Sequence, residues 1–396
     1  MATISSLPYS YPQLCFISSA RRKDNGKEDL NRCEDAEPLV RGLSRLPYIF
    51  TGIADGLGGY PQGYDGKSGG YIASRCVLQS AFEFFDRQST LRFDVANSNL
   101  TRHLKNKLQK LADKIKPSPL KGSLSRHRLA TTLALCLIER DPQKAKSLTV
   151  HSYWIGDSRI YFYDDLGLHQ LSRDDSHGAG DAFDALYRDS PMSQFIAATM
   201  EQDWHIHYQR HQLSRSGVLV ICSDGCSTPW KAPWELELAL LETLMRSHHW
   251  QAWLEAFKKR IDAVRHDDAT CILFPVNAGS FQCFRQQQLL KHALQPAIQA
   301  HFKLLNMGIN FENRKNIWLH HYKAHYENLV PRYPQRRLAN LYARVRKYGL
   351  NVFSSVKHKL LHHKNKRFLL RALAPIALLD PIGRGFLDVV RSLLRL

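Results

Sequence analysis

Short apolar runs bounded by glycine, proline and acidic residues dominate the first 276 positions. Tyr48 to Ala54 is one such run. Leu129 to Ile138, Ser147 to Ile155, Arg159 to Tyr163, Val218 to Cys222 and Ala269 to Phe274 are others. Their lengths and their β-branched and aromatic content predict strands. Trp204 to Leu213 alternates apolar and polar positions, and Leu168 to Leu171 follows the turn signal Asp164, Asp165 and Gly167. Residues 1–20 have room for a further strand. The period changes where Ile72, Cys76, Val77 and Ser80 to Phe84 share one helical face. Residues 99–115 interleave Leu and Lys as a second helix, which Lys116, Pro117 and Pro119 end. Two more helices are expected at about 233–246 and 249–264, and an irregular insertion carrying a helix at 174–203. This pattern is α+β, with helices nested between groups of strands.

The remainder reads differently. Residues 281–305 suggest a helix interrupted at Pro296. Leu338, Leu341, Tyr342 and Val345 form an apolar stripe within 335–348, ended by Gly349, and Phe386, Val389, Val390, Leu393 and Leu394 form another within 384–396. The expectation is an all-α appendage. Charge sharpens the division. The chain of 396 residues carries a net charge of +19, but 21 Lys and Arg stand against 4 Asp and Glu from residue 277 onward, and 34 against 32 before it. We therefore expect two domains, 1–276 and 277–396. The second has a cationic outer surface suited to an acidic protein, nucleic acid or anionic membrane.

Eight cysteines are scattered without a CxxC pair, and no basic and apolar leader opens the chain. They read as reduced thiols of a cytoplasmic protein. The longest apolar run of the tail, Ala372 to Leu379, contains Pro375 and is far short of the ~20 residues that span a bilayer. No transmembrane segment is expected.

The candidate chemistry is acidic. Asp55 ends the first strong strand among Gly52, Gly56, Gly58 and Gly59, in the stretch FTGIADGLGG. Gly156-Asp157-Ser158-Arg159, Ser223-Asp224-Gly225 and Asp267-Asp268-Ala269-Thr270 set further acids beside strands. One Asp-Gly after a strand is ordinarily a turn. Several acids converging from distant strand ends would repel one another unless cations lay between them, and oxygen-only ligands favour Mg²⁺ or Mn²⁺.

Taken with its Gly-rich loop and the helix bearing Ala73-Ser74, FTGIADGLGG resembles the signature of the metal-dependent Ser/Thr protein phosphatases of type 2C. The order of the other motifs agrees. Cys33-Glu34-Asp35-Ala36 resembles the family's NED-A element, Ala130-Thr131-Thr132-Leu133 its G-T-T strand, and Ile155 to Arg159 its GDSR turn. Leu171 to Ser176 resembles LT-x-DHS, Val220 to Gly225 resembles LxCSDG, and Asp267 to Thr270 resembles DN-x-T. The likeness covers about residues 20–275 and is greatest to bacterial members. It implies a sandwich of two antiparallel β-sheets flanked by helices. It also implies hydrolysis of phosphoserine or phosphothreonine in proteins by a metal-activated water, with two or three Mg²⁺ or Mn²⁺ ions. Carried over by position, Asp55 would bridge two metals, the Gly56 carbonyl would complete one, and Asp224 with Asp267 the other. Glu34 and Asp35 would hold water, and Asp157 would help form a third site.

The chain departs from the family pattern in places. The substrate-phosphate arginine falls at Leu30, leaving Lys27 or Arg32 as substitutes, neither in register. Asp268 replaces the asparagine of the last motif, and a one-residue shift would make it the ligand instead of Asp267. Asp175 stands for the histidine of DHS. These departures keep a second reading open, a phosphatase-like binding module with little activity. His205, His207 and His211 spell HxHxxxH, which could hold zinc but reads better as the solvated side of a strand.

Overall fold

The computed structural model describes residues 14–20, 26–57, 67–114, 129–140, 147–177, 181–187, 191–198, 203–291 and 295–329. The tail stripes at 335–348 and 384–396 and the glycine-rich loop at 60–66 lie outside the described residues.

Two five-stranded sheets face each other, and every pairing is antiparallel. One runs β10 (His207–Leu213), β7 (Leu148–Ile155), β6 (Leu133–Arg140), β3 (Tyr48–Ile53), β2 (Leu39–Gly42). The other runs β1 (Cys15–Ser18), β12 (Ala269–Val276), β11 (Gly217–Cys222), β8 (Arg159–Asp164), β9 (Gly167–Gln170). A small pair joins β4 (Gly56–Leu57) to β5 (Ala130–Thr131). The implied sandwich is therefore present.

Strict alternation explains why the strands read as continuous apolar runs. Ile53, Ala134, Cys136, Val150, Trp154, Ile160, Phe162, Leu219, Ile221, Ile272 and Phe274 fill the space between the sheets. Their neighbours on the same strands point outward. Phe50, Leu135, Leu137 and Tyr153 meet α1 (Gly69–Asp86) and α2 (Phe93–Ala112) through Val77, Ala81, Phe85, Leu100 and Leu104. With helices covering both outer faces, every residue of β7, β8, β9, β11 and β12 is buried whichever way it points. Helix α2 starts at Phe93, six residues before the Leu–Lys pattern, because Ala96 and Leu100 already face the core.

The other sheet presents Tyr161, Tyr163, Val220 and Leu273 to a thicker helical layer. After the short helices α3 (Ala182–Tyr187) and α4 (Asp224–Ser227) come α5 (Pro233–Met245) and α6 (Trp250–Asp262). Past β12, whose last residue is Val276, the chain adds α7 (Phe281–Lys291) and α8 (Pro296–Met307), with Pro296 opening the latter. Then follow α9 (Phe311–Ile317), a π turn at Trp318–Tyr322, and α10 (Lys323–Tyr326). These helices sit on the sandwich, and the compact unit extends through Pro331. Trp318, Tyr322 and Tyr326 are fully buried core residues.

Glu237 of α5 ties this added layer down. It is fully buried and accepts hydrogen bonds from Tyr322 Oη (2.6 Å), Leu168 N (2.8 Å) and Ala297 N (3.3 Å). Burial pushes its carboxyl up to about 7. No helix among the described residues is long and apolar enough to cross a membrane.

Candidate metal centre

Asp55 follows β3, Asp157 sits in the turn between β7 and β8, and Asp224 follows β11. One carboxylate oxygen from each lies within 4.8 Å of the others. Three parts of the chain thus deliver acids to one end of the sandwich, all half-buried.

Neighbouring hydroxyls and one carboxylate brace these segments together. The Asp55 carbonyl accepts from Thr132 N (2.8 Å) and Thr131 Oγ1 (2.6 Å). Thr132 Oγ1 meets Ser158 Oγ at 2.7 Å, which joins the Asp55 strand to the Asp157 turn. Ser223 Oγ donates to Asp35 Oδ2 (2.9 Å) and accepts from Thr270 N (2.9 Å), which joins Asp35 to the Asp224 strand. Asp268 supplies the third brace. Its Oδ1 accepts from Ala20 N and its Oδ2 from Glu34 N, each at 2.6 Å.

That last brace bears on the register of the final motif. Both Asp268 oxygens are taken by backbone amides, and the residue is buried. Asp267 is exposed, and its charge is among those acting on Asp224. Glu34 is half-buried, its carbonyl accepting from Ser74 Oγ at 2.6 Å. Gly56 is pressed against α1. A Cβ there would lie 2.5 Å from the Gly70 carbonyl carbon and oxygen and 2.6 Å from the Glu34 oxygen, so only glycine fits. Arg32 closes a 3₁₀ turn at Leu30–Arg32 and is exposed, as is Lys27. Neither belongs to the acidic cluster.

The acids pay for their proximity. Lost hydration and the charges of Asp35, Asp224 and Asp157 hold the Asp55 carboxyl well above the ordinary carboxylate range. Burial, then Asp224 and Asp174, pushes Asp157 to about 8 against the pull of Arg159. Asp224 rises to about 6 through burial and Asp267, and Asp35 to about 6 chiefly through burial. Among the described residues no hydrogen bond is made to the buried Asp35 Oδ1, and that carboxyl lies against Asp55. An all-oxygen donor set, mutually repelling and short of donors, fits a hard divalent cation.

Sequence reasoning took Ser158, Ser223 and Thr132 only as letters of their motifs, and their hydroxyls turn out to be the joints of the site. It took Asp175 only as a departure from DHS. That carboxylate accepts from Gly156 N (3.1 Å) and meets His207 Nε2 (2.9 Å), steadying the turn that carries Asp157. Gly156 there adopts φ +95°. His207 is thus engaged with an acid and His211 is buried, so only His205 of the three is on the solvated side. Arg159 is also buried, bound by both oxygens of Asp174 (2.6–3.1 Å).

A sandwich whose strand ends gather acids for divalent cations defines the class, and the family follows. A model of protein phosphatase 2C matches residues 28–273, and the chain belongs to that family. Its class of activity is that of a protein phosphatase. The chain is similar to a candidate protein phosphatase of Mycoplasma pneumoniae, at 24% identity over 213 residues that cover 49% of this chain and 73% of that one. Among solved structures it resembles the serine/threonine phosphatase Stp1 from Staphylococcus aureus, at 16% identity and a TM-score of 0.49, covering 70% of this chain and 99% of that one. It also resembles the catalytic domain of the phosphatase PstP in complex with two manganese ions, at 17% identity and a TM-score of 0.42, covering 66% and 96%.

Proposed function

We propose that this protein hydrolyses phosphoserine and phosphothreonine in protein substrates, with Mg²⁺ or Mn²⁺ held at the end of the sandwich. The observation that carries this reading is the meeting of Asp55, Asp157 and Asp224 within 4.8 Å. Asp55, the Gly56 carbonyl, Asp224 and Asp267 are the ligands of two ions in this reading. Asp157 belongs to a third, and Glu34 and Asp35 hold water at the rim. Bound divalent ions supply Lewis-acid activation of water and neutralise phosphoryl oxygens.

The chain's own residues prepare that chemistry. The Thr132–Ser158 and Ser223–Asp35 bonds fix the segments that carry the acids before any ligand arrives, so little ordering is left to the moment of reaction. The Asp268 bonds hold Glu34 beside the site and leave Asp267 as the acid facing out. The catalytic part corresponds to residues 1–276. The basic remainder serves to dock an acidic partner or surface. Eight free cysteines favour the cytoplasm, where a phosphatase of this kind would act in signalling.

The test is turnover of an aryl phosphate and a phosphoserine peptide by the full chain with manganese, beside Asp224→Asn. The expected result is hydrolysis by the wild type and loss of at least about a hundredfold in the variant, with an unchanged circular dichroism spectrum. Tight phosphopeptide binding without turnover at saturating metal would instead mark a regulatory binding module.

A further inference from the structure

Beside the acidic site stand two cations that no carboxylate holds among the described residues. Lys67 Nζ lies 4.2 Å from the centre of the Tyr71 ring, and Arg75 Cζ lies 3.5 Å from it. Lys67 donates to the Asn31 carbonyl at 2.5 Å. Arg75 Nη1 donates to the carbonyls of Cys33 (3.3 Å) and Tyr71 (3.1 Å). Among the described residues neither reaches an acid. Arg159, Arg265 and Lys258, by contrast, are all ion-paired.

Their anchors place them at the site. Lys67 holds the segment at Asn31 and Arg75 holds it at Cys33, immediately before Glu34 and Asp35. Ser74, next to Arg75, binds the Glu34 carbonyl, and Gly70, three residues past Lys67, abuts Gly56. A lysine and an arginine this near several repelling acids would ordinarily fold onto one of them. Here the Tyr71 ring and backbone carbonyls occupy them instead, which is favourable for a cation yet leaves its charge uncancelled. Each keeps donors to spare. Lysine has three and uses one on a carbonyl. Arginine has five in a planar fork that matches phosphate geometry.

We propose that Lys67 and Arg75, both held against the Tyr71 ring, receive the dianionic phosphoryl group presented to the acidic centre, and retain inorganic phosphate as product. The proposal rests on the phosphatase reading for its substrate. Charge logic supports it: a cluster of carboxylates repels a phosphate dianion, so the approach needs fixed positive charge that the carboxylates have not already consumed.

The experiment uses the full-length, manganese-loaded protein. It measures kcat and KM on a phosphoserine peptide and the affinity for inorganic phosphate by calorimetry. Lys67→Gln is the cleaner variant, because Arg75 also holds the Cys33 carbonyl. The expected result is a rise of about tenfold in both KM and the phosphate Kd, with kcat within about twofold. Lys67→Arg should restore both constants, and Arg75→Gln added to Lys67→Gln should weaken phosphate further. Wild-type turnover with KM and Kd unmoved in these variants overturns the proposal and leaves the phosphatase reading standing. A fall in kcat alone also overturns it, since that marks a structural role. If the wild type binds phosphate but turns nothing over, the phosphatase reading fails, and the change in Kd alone decides this proposal.

Discussion

Replacing Asp157 by asparagine should stabilise the metal-free protein and destabilise the metal-loaded one. In the absence of cations Asp157 shares a half-buried space with Asp55 and Asp224, with oxygens within 4.8 Å. Two unit charges at that distance repel by about 3 kcal/mol at an effective dielectric near 20. Solvent access and proton uptake relieve much of this, so about 1–2 kcal/mol is the expected gain, or roughly 3–6 °C in melting temperature for a domain of this size. The sign of the pH dependence follows. The Asp157 carboxyl is pushed up to about 8 from an ordinary value of 3.8, so its ionisation opposes folding. That cost is absent at low pH and grows as pH rises between those values, so the advantage of Asp157→Asn should be small at pH 5 and largest near pH 8. With saturating manganese the proposed ligand role of Asp157 predicts the reverse order. The assay is thermal unfolding of both proteins in chelator and in manganese at pH 5, 6.5 and 8. An Asp157→Asn protein less stable than wild type in chelator at pH 8 would refute the claim that these acids are held together against their own repulsion.

Two further substitutions probe the supports of the site and of the fold. Asp268→Ala leaves the amides of Ala20 and Glu34 without acceptors, which should cost about 3–5 kcal/mol in urea unfolding and weaken metal binding. Glu237→Ala strips acceptors from Tyr322, Leu168 and Ala297. A loss of about 3–6 kcal/mol is expected, with protease cleavage appearing first in the helices after residue 280.

How much of this was legible beforehand differs from element to element. Strands such as Val218 to Cys222 announced themselves because both of their faces are covered, one by the opposite sheet and one by helices. Short β2 carried no such signal, since half of it is exposed. The acids were legible because each ends an apolar run. Their spacing in space was not, since it depends on sheet register and on hydroxyl bridges between residues far apart, Thr132 with Ser158 and Ser223 with Asp35. Sequence order put Asp267 ahead of Asp268 as the candidate ligand, and the amides of Ala20 and Glu34 that occupy both Asp268 oxygens favour the same choice. The burial of Trp318 and Tyr322 was not legible either, since it depends on contacts with α5 and Glu237.

If acids from separate strand ends jointly hold divalent cations that make the protein a phosphatase, metal binding and turnover must go together. Manganese is titrated into chelator-stripped wild type and Asp55→Asn, while heat of binding and aryl-phosphate turnover are followed on the same samples. Saturable binding and activation should rise together in the wild type and both be lost in the variant. Undiminished turnover in chelator, or metal affinity unaltered by Asp55→Asn, would contradict it.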